Sequence, residues 1–301
     1  MRSTPAVSLC IPAYQAERHL RETLDAAFAQ TFEDMEIVVL DNNTTDGTRE
    51  ILEQANDPRL RIERNDHTLS MPDNWNRVVE MCRAPLIKLL CADDLIDENC
   101  VADQATILMD CPDVALVSCK TNLIDDVGQS LRRSTGLRRL TGKHDGRTVV
   151  RHVLRSGGNP IGPSAAVTFR RSDFHAVGGF RGDLLYPMEL ELWTRLLKRG
   201  DFVGLPDPLA AFRISADGAT AFTSVRAQFG QQLELSRRIV SDGKWRVGCA
   251  DVMIGWIGAV TMQARRSLVI SRSAWRSNHR SPIDPQAPAA VPTPRATDRT
   301  A

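Results

Sequence analysis

The chain has 301 residues, of which 42% are hydrophobic and 25% charged, and a formal net charge of +1 at pH 7. This is ordinary globular composition: it excludes a fibrous or wholly disordered chain and suits one large or two small domains, with no nucleic-acid partner expected. The seven cysteines (Cys10, Cys82, Cys91, Cys100, Cys111, Cys119, Cys249) are odd in number, scattered and never spaced C-x-x-C, so a disulfide framework or a zinc site is not indicated and a reducing, cytoplasmic setting is expected.

The N-terminal stretch MRSTPAVSLCIPAY lacks the apolar core of a secretory signal, and its short run Val7 to Pro12 reads as a first strand. ERHLRETLDAAFAQ follows, with Leu20, Leu24 and Phe28 four apart, which is helical spacing. MEIVVLDNN is a second strand and TTDGTREILEQA a helix start. RLRIERN is a third strand, PDNWNRVVEMC a helix and LIKLLCADD a fourth strand. Strands apolar on both faces that alternate with helices predict a parallel sheet covered on both sides, with ligands bound at the carboxyl ends of the strands.

Glu98 to about Cys111 reads as a helix and VALVSCK as a strand, followed by a basic, glycine-containing loop from Arg132 to Arg147. A loop of that length is usually functional or disordered. GPSAAVTFRR reads as a strand, SDFHAVGGF as a short helix stopped by glycine, and MELELWTRLLKRG as a helix ending at Gly200. DFVGLPDPLAAFRI predicts edge-type extended chain, because its prolines remove ladder donors. Trp75 and Trp193 lie on apolar helical faces and are read as core.

From Thr223 to about Arg280 the pattern is helical, and residues 281–301 are Pro/Ala-rich and predicted to be disordered. Arg237 to Arg280 holds nine Lys/Arg against two acids, whereas residues 1–236 hold 27 basic against 33 acidic residues. The basic segment surrounds an apolar run containing Trp256 and Ile257. It fits peripheral contact with an anionic membrane surface; an ordinary packed helix with one wet face accounts for it as well. The run Val252 to Met262 is too short to span a bilayer.

The acids that could carry chemistry fall at strand ends. Asp41 closes the second strand and opens the polar turn DNNTTDGT, where it could cap a helix or accept from a nucleotide base or ribose. Asp93 and Asp94 end the fourth strand as neighbouring like charges, an arrangement that costs free energy unless a cation or a hydrogen-bond network offsets it. One acid could cap the following helix; two point to Mg²⁺ or Mn²⁺ with open positions for a substrate diphosphate.

IPAY with Glu17 following, VVLDNNTTDGT, the NWNRVV helix, LLCADDLID, VGGF and ELWTRLLKRG occur in an order and spacing that resemble glycosyltransferase family 2, inverting enzymes of the GT-A fold. The resemblance runs from about residue 6 to about residue 214. It implies an α/β, doubly wound, mainly parallel sheet with helices on both faces. Residues 1–222 would form the transferase domain, with a nucleotide-sugar half (about 1–118) and an acceptor half (about 119–222), and residues 223–280 a basic helical extension. A nucleotide-diphosphate-sugar donor (UDP-, GDP- or dTDP-linked), Mn²⁺ or Mg²⁺, and an acceptor hydroxyl are implied. A cell-surface polysaccharide or lipid-linked glycan would be the acceptor, reached from the inner face of the cell membrane.

Carried over by position, Pro12, Ala13, Tyr14, Glu17, Asp41, Asn74 and Asp93 would bind the nucleotide-sugar, and Asp93, with Asp94 beside it, the metal. Two departures stand out. Cys91 occupies the place of the first acid of the D-x-D motif, and Met188-Glu189 stands where Glu-Asp is typical, which makes Glu189 the catalytic base. On a helix, Glu189 shares a face with Trp193 and Leu196, while Glu191 has the i,i+4 spacing of a surface ion pair with Arg195. Because both departures fall on chemically required positions, an inactive nucleotide-sugar-binding or scaffolding relative is the alternative reading. No G-x-G-x-x-G follows the first strand, which argues against a dinucleotide-binding dehydrogenase.

Overall fold

A computed structural model describes residues 4–214, 224–258 and 261. The α/β alternation yields β1 (Val7–Ala13), α1 (Leu20–Phe28), β2 (Met35–Asp41), α2 (Thr48–Glu53), β3 (Leu60–Arg64), α3 (Met71–Met81) and β4 (Leu86–Leu89). These strands lie in the order β3-β2-β1-β4 and are all parallel. The chain builds outward from β1 in both directions, to β2 and β3 on one side and β4 on the other, and ligands of such sheets bind at the carboxyl ends beside that switch point. Every residue of β1, β2 and β4 is buried. Alternate residues feed two cores: Leu9, Ile11, Ile37 and Val39 pack with α1 and α2 on one face, and Cys10, Val38, Leu40 and Leu89 pack with α3 on the other.

The second half continues the sheet with β5 (Leu95–Ile96), α4 (Cys100–Asp110), β6 (Val114–Asp125), β7 (Ser130–Thr135), β8 (Gly142–His144) and α5 (Gly146–Ser156). A 3-10 turn (Ser164–Ala166), β9 (Val167–Arg170), α6 (Arg171–Val177), α7 (Met188–Leu196), β10 (Asp201–Ile214) and α8 (Val225–Ser241) follow. The full order is β3-β2-β1-β4-β9-β6-β10-β5, with β9 antiparallel to both neighbours and β10 parallel to β6. Helix ends follow local chemistry. Asp145 caps α5 by accepting from the Thr148 N–H at 3.0 Å. α6 stops at Gly178 (φ 80°), and a Cβ on the next glycine, Gly179, would lie 2.6 Å from Asn76 Oδ1. That close approach lets Asn76 bond both the N–H and the C=O of Phe180, at 2.8 and 2.9 Å, joining α3 to the VGGF turn.

Three expectations are corrected. The basic stretch Arg132 to Arg147 is not an open loop: it contains most of β7, all of β8 and the start of α5, pairing antiparallel with β6 and β10. DFVGLPDPLAAFRI is not an edge; β10 is paired on both sides, because Pro206 and Pro208 fall in the register break between Leu205 and Ala210, where no ladder donor is needed. Glu191 is not a surface acid: it is 4% exposed and its carboxylate receives two bonds from Arg195, at 2.8 and 2.6 Å. Trp193 is fully buried, and Trp75 packs edge-on against Phe180. The predicted helical pattern beyond residue 261 and the tail 281–301 lie outside the described residues.

Candidate active site

Three loops meet at the carboxyl edge of the parallel strands. The one after β1 carries Tyr14, which is half exposed, beside the buried Pro12 and Ala13. It is tied to the loop after β2 by reciprocal bonds between Gln15 and Thr45 (3.1 and 3.0 Å) and by the Ala16 N–H to Thr48 Oγ1 at 2.8 Å. Glu17 takes part in the same lacing: its Oε2 accepts from the Gly47 N–H at 2.7 Å. One oxygen of its exposed carboxylate thus holds a loop.

Asp41 is buried, accepts from the Thr44 N–H at 2.8 Å and pairs with Arg64. Beside it Asn42, Asn65 and Asn74 form an amide cluster: Asn65 Nδ2 donates to Asn42 Oδ1 at 2.8 Å and to Asn74 Oδ1 at 3.0 Å, and Asn42 binds both backbone groups of Leu69. Asn74, 3% exposed, thus anchors α3 to the strand-end loops.

The loop after β4 differs. β4 ends at Leu89, and Cys91 to Asp94 form a turn before β5, closed by the Asp94 N–H to Cys91 O at 3.1 Å. Neither acid caps α4, whose first turn begins at Cys100 with no side-chain cap. Asp94 is 1% exposed; Oδ1 accepts from the Arg213 N–H at 2.9 Å, and Oδ2 has no partner among the described residues. One ligand atom each from Cys91, Asp93 and Asp94 lies within 4.8 Å of the others.

Burial raises the Asp94 carboxyl well above the usual range, helped by the charge of Asp93 and opposed by the bond from Arg213. Burial raises Asp93 as well. The Cys91 thiol is pushed far up by burial and by the two acids, so it is a neutral thiol that bonds with Ser164 Oγ at 3.3 Å. A buried, unsatisfied carboxylate oxygen next to a second acid fits a hard divalent cation. Asp93 and Asp94 are the residues that would hold it, and the protonated, soft sulfur of Cys91 is a poor third donor for Mg²⁺ or Mn²⁺.

Glu189 lies in the first turn of α7, and its Oε1 accepts from the Ser164 N–H at 2.6 Å. Burial raises its pKa; the Ser164 bonds oppose this, and the charge of Asp93 adds to it. Two positions apart, and so about 200° apart around the helix, the two glutamates of α7 meet different surroundings, Glu189 toward the acid turn and Glu191 toward Arg195.

Two residues here escaped the sequence reading. Ser164 links Cys91 to Glu189 from the 3-10 turn before β9. Arg213 is a fully buried guanidinium on β10: Nε donates to Asp93 O at 2.8 Å, Nη1 to the carbonyls of Asp125 and Asp126, and Nη2 to Glu22 at 2.7 Å. Its charge opposes the effect of burial on Asp93 and Asp94, while its own carboxylate partner is Glu22. The only signal was a lone arginine in the apolar run LAAFRI.

Residues 8–178 match the model of a family described as "Glycosyl transferase family 2". Among curated proteins the chain is 28% identical over 239 residues to "Uncharacterized protein MT1568" of Mycobacterium tuberculosis, covering 77% of this chain and 74% of that one. It is 32% identical over 103 residues to "Chondroitin synthase" of Escherichia coli, a match spanning 34% of this chain and only 15% of the synthase.

Among solved structures it resembles S. aureus TarS 1-349 in complex with UDP-GlcNAc, with TM-score 0.63 and 13% identity over 89% of this chain and 71% of that one. It also resembles the mannosyltransferase PcManGT from Pyrobaculum calidifontis in complex with GDP-Man and Mn²⁺, with TM-score 0.61 and 18% identity over 93% and 77%. At those identities the likeness establishes the fold, which is of the GT-A type. With more than half of its length matching the family model, the chain belongs to glycosyltransferase family 2.

Proposed function

We propose that the chain transfers a sugar from a nucleotide-diphosphate-sugar to an acceptor hydroxyl with inversion, using Glu189 as general base. The observation that carries this reading is the meeting of Glu189 with the Asp93–Asp94 turn. The base is anchored to the Ser164 N–H at 2.6 Å and close enough to Asp93 for that charge to raise its pKa. A carboxylate so placed is a stronger base than a solvated one. The acceptor oxygen bonds to the anomeric carbon as the bond from that carbon to the diphosphate breaks. The hydroxyl proton passes to Glu189, and the electron pair leaves with the nucleoside diphosphate.

A divalent cation held by Asp93 and Asp94 would offset the diphosphate charge in the donor and leaving group. Pro12, Ala13 and Tyr14 border the nucleotide in this reading. Asp41 reaches the base or ribose through acceptor positions left by Thr44 and Arg64, since an ionised carboxylate has about four. Glu17 and Asn74 serve by fixing the loops. The donor is UDP-, GDP- or dTDP-linked; the solved relatives hold UDP-GlcNAc and GDP-Man with Mn²⁺. Residues of about 119–222, which include Glu189, would present the acceptor, a cell-surface polysaccharide or lipid-linked glycan.

A screen of UDP-, GDP- and dTDP-sugars for transfer or hydrolysis, with and without Mn²⁺, tests the reading. Turnover of one donor class that depends on the metal is expected. Tight nucleotide binding without turnover of any donor would replace it with that of an inactive binding relative.

A further inference from the structure

The helical segment over residues 249–258, CADVMIGWIG, has its polarity reversed. Its one charged residue, Asp251, points into the protein, 2% exposed, and receives Arg151 Nε at 3.1 Å and Arg155 Nε at 2.6 Å from α5. Gly255 and Gly258 lie against the end of α5 so closely that a Cβ would sit 2.5 Å from Leu154 O and 2.4 Å from Arg155 O. Met253, Ile254, Trp256 and Ile257 are 68%, 45%, 58% and 67% exposed. At about 100° per residue these four form one contiguous face opposite Asp251 and Gly255. A helix that faces water carries its polar residues outward.

We propose that this face inserts into the headgroup region of an anionic lipid bilayer. Charge selects that occupant. Lys244 and Arg246 are exposed just before the helix, and Arg151 and Arg155, partly exposed, outnumber the one acid they hold, Asp251. Between Asp251 and Asp284 the sequence has Arg265, Arg266, Arg272, Arg276 and Arg280 and no acid. The acidic balance of residues 1–236 is repelled by the same surface, so the field orients the molecule with this helix toward the lipid.

Tryptophan and isoleucine on an exposed apolar face within a cation-rich stretch of sequence are the composition of an interfacial helix. A second copy fits less well. An isologous pair would bring two cation-rich segments together, and a face about 15 Å long is small beside the roughly 800 Å² per partner of a stable interface. The binding does not depend on the catalytic reading. Only its corollary does, that a lipid-linked acceptor is met at the bilayer surface.

Flotation of the full chain with phosphatidylcholine vesicles, with and without phosphatidylglycerol, tests the proposal. Binding is expected only with the anionic lipid, weakening as salt rises. The double variant Trp256→Ser/Ile257→Asp should lose at least about tenfold in lipid affinity with an unchanged circular dichroism spectrum, whereas Trp256→Phe should bind. Failure to float with anionic vesicles at low salt would overturn the proposal, and so would flotation that the double variant leaves intact. Two other outcomes would also overturn it. One is a concentration-dependent dimer that the double variant abolishes, which assigns the face to a second copy. The other is a non-binding monomer whose melting temperature the double variant lowers by several degrees, which assigns the face to residues beyond 261.

Discussion

The loops after β2 and after β4 flank β1 at the same edge of the sheet, and each carries a buried acid. After β2, Asp41 is bonded to a backbone N–H and a guanidinium; Asn42, Asn65 and Asn74 bond one another, with Asn65 Oδ1 and Thr44 Oγ1 left without a partner among the described residues. After β4, Asp94 keeps one oxygen unpartnered, Asp93 stands beside it, and burial raises both carboxyls, as it does Glu189 across the cleft. Strand-end acids are thus of two kinds. Those the fold satisfies hold shape and keep only spare acceptor positions, as Asp41 does for a base or ribose; those it leaves short of partners are where a cation or a proton is to be expected.

The widest contrast to test is between the two glutamates of α7. Glu189→Gln should lower turnover by a factor of about a hundred to ten thousand while nucleotide binding, followed by calorimetry, stays nearly intact. Near-normal turnover would end its assignment as base. Glu191→Ala should act on stability instead. Removing one partner of a buried pair costs roughly 3–5 kcal/mol, and denaturant unfolding should register a loss of that order. Unchanged stability would mean the Arg195 bonds are replaceable.

Next comes the pair of acid loops themselves. Asp93→Asn should cut turnover on the order of a hundredfold or more and blunt the metal dependence, with little loss of thermal stability. Asp41→Asn should act differently: about 1–3 kcal/mol of stability lost and weaker nucleotide binding, with metal dependence intact. If both variants lost stability and kept the metal response, the distinction between the loops would collapse.

A pH series sharpens the same comparison. Asp93, Asp94 and Glu189 have folded pKa values raised above those of the unfolded chain. The native state therefore binds more protons over the interval between the two sets of values. These groups stabilise the metal-free fold below their unfolded pKa values, and that contribution is lost as pH rises through the raised folded ones. Protons and cation compete for the same oxygens, so the rise in melting temperature on adding Mn²⁺ should grow with pH over that interval. A metal-induced shift independent of pH there would place the cation elsewhere.

The smallest effect is expected from Cys91→Asp. It adds a third hard ligand at the turn at the cost of more like charge, and should tighten Mn²⁺ several-fold by titration. Weaker binding would mean that Cys91 serves the site through its bond to Ser164.

Much of this molecule was legible from local pattern. The alternation of apolar runs with i,i+4 spacing dictated the first four strands and three helices, since burial on both faces and the period of a helix are properties of neighbouring residues. The acid turn at Asp93 and Asp94 was visible because adjacent carboxylates after an apolar run have no cheap local resolution. What lay beyond the sequence depended on partners distant in the chain. Arg213 reaches the acid turn from 119 residues away, Ser164 reaches Glu189 from 25, and the burial of Glu191 follows from the VGGF turn closing over α7, where Arg195 binds the carbonyls of Val177 and Gly179. Likewise β10 reads as an edge because of its prolines, and only the register of β6 reveals that they fall where no hydrogen bond is required. Periodicity states which face of an element is apolar; what that face meets, and which charge is left without a partner, is decided when the elements pack.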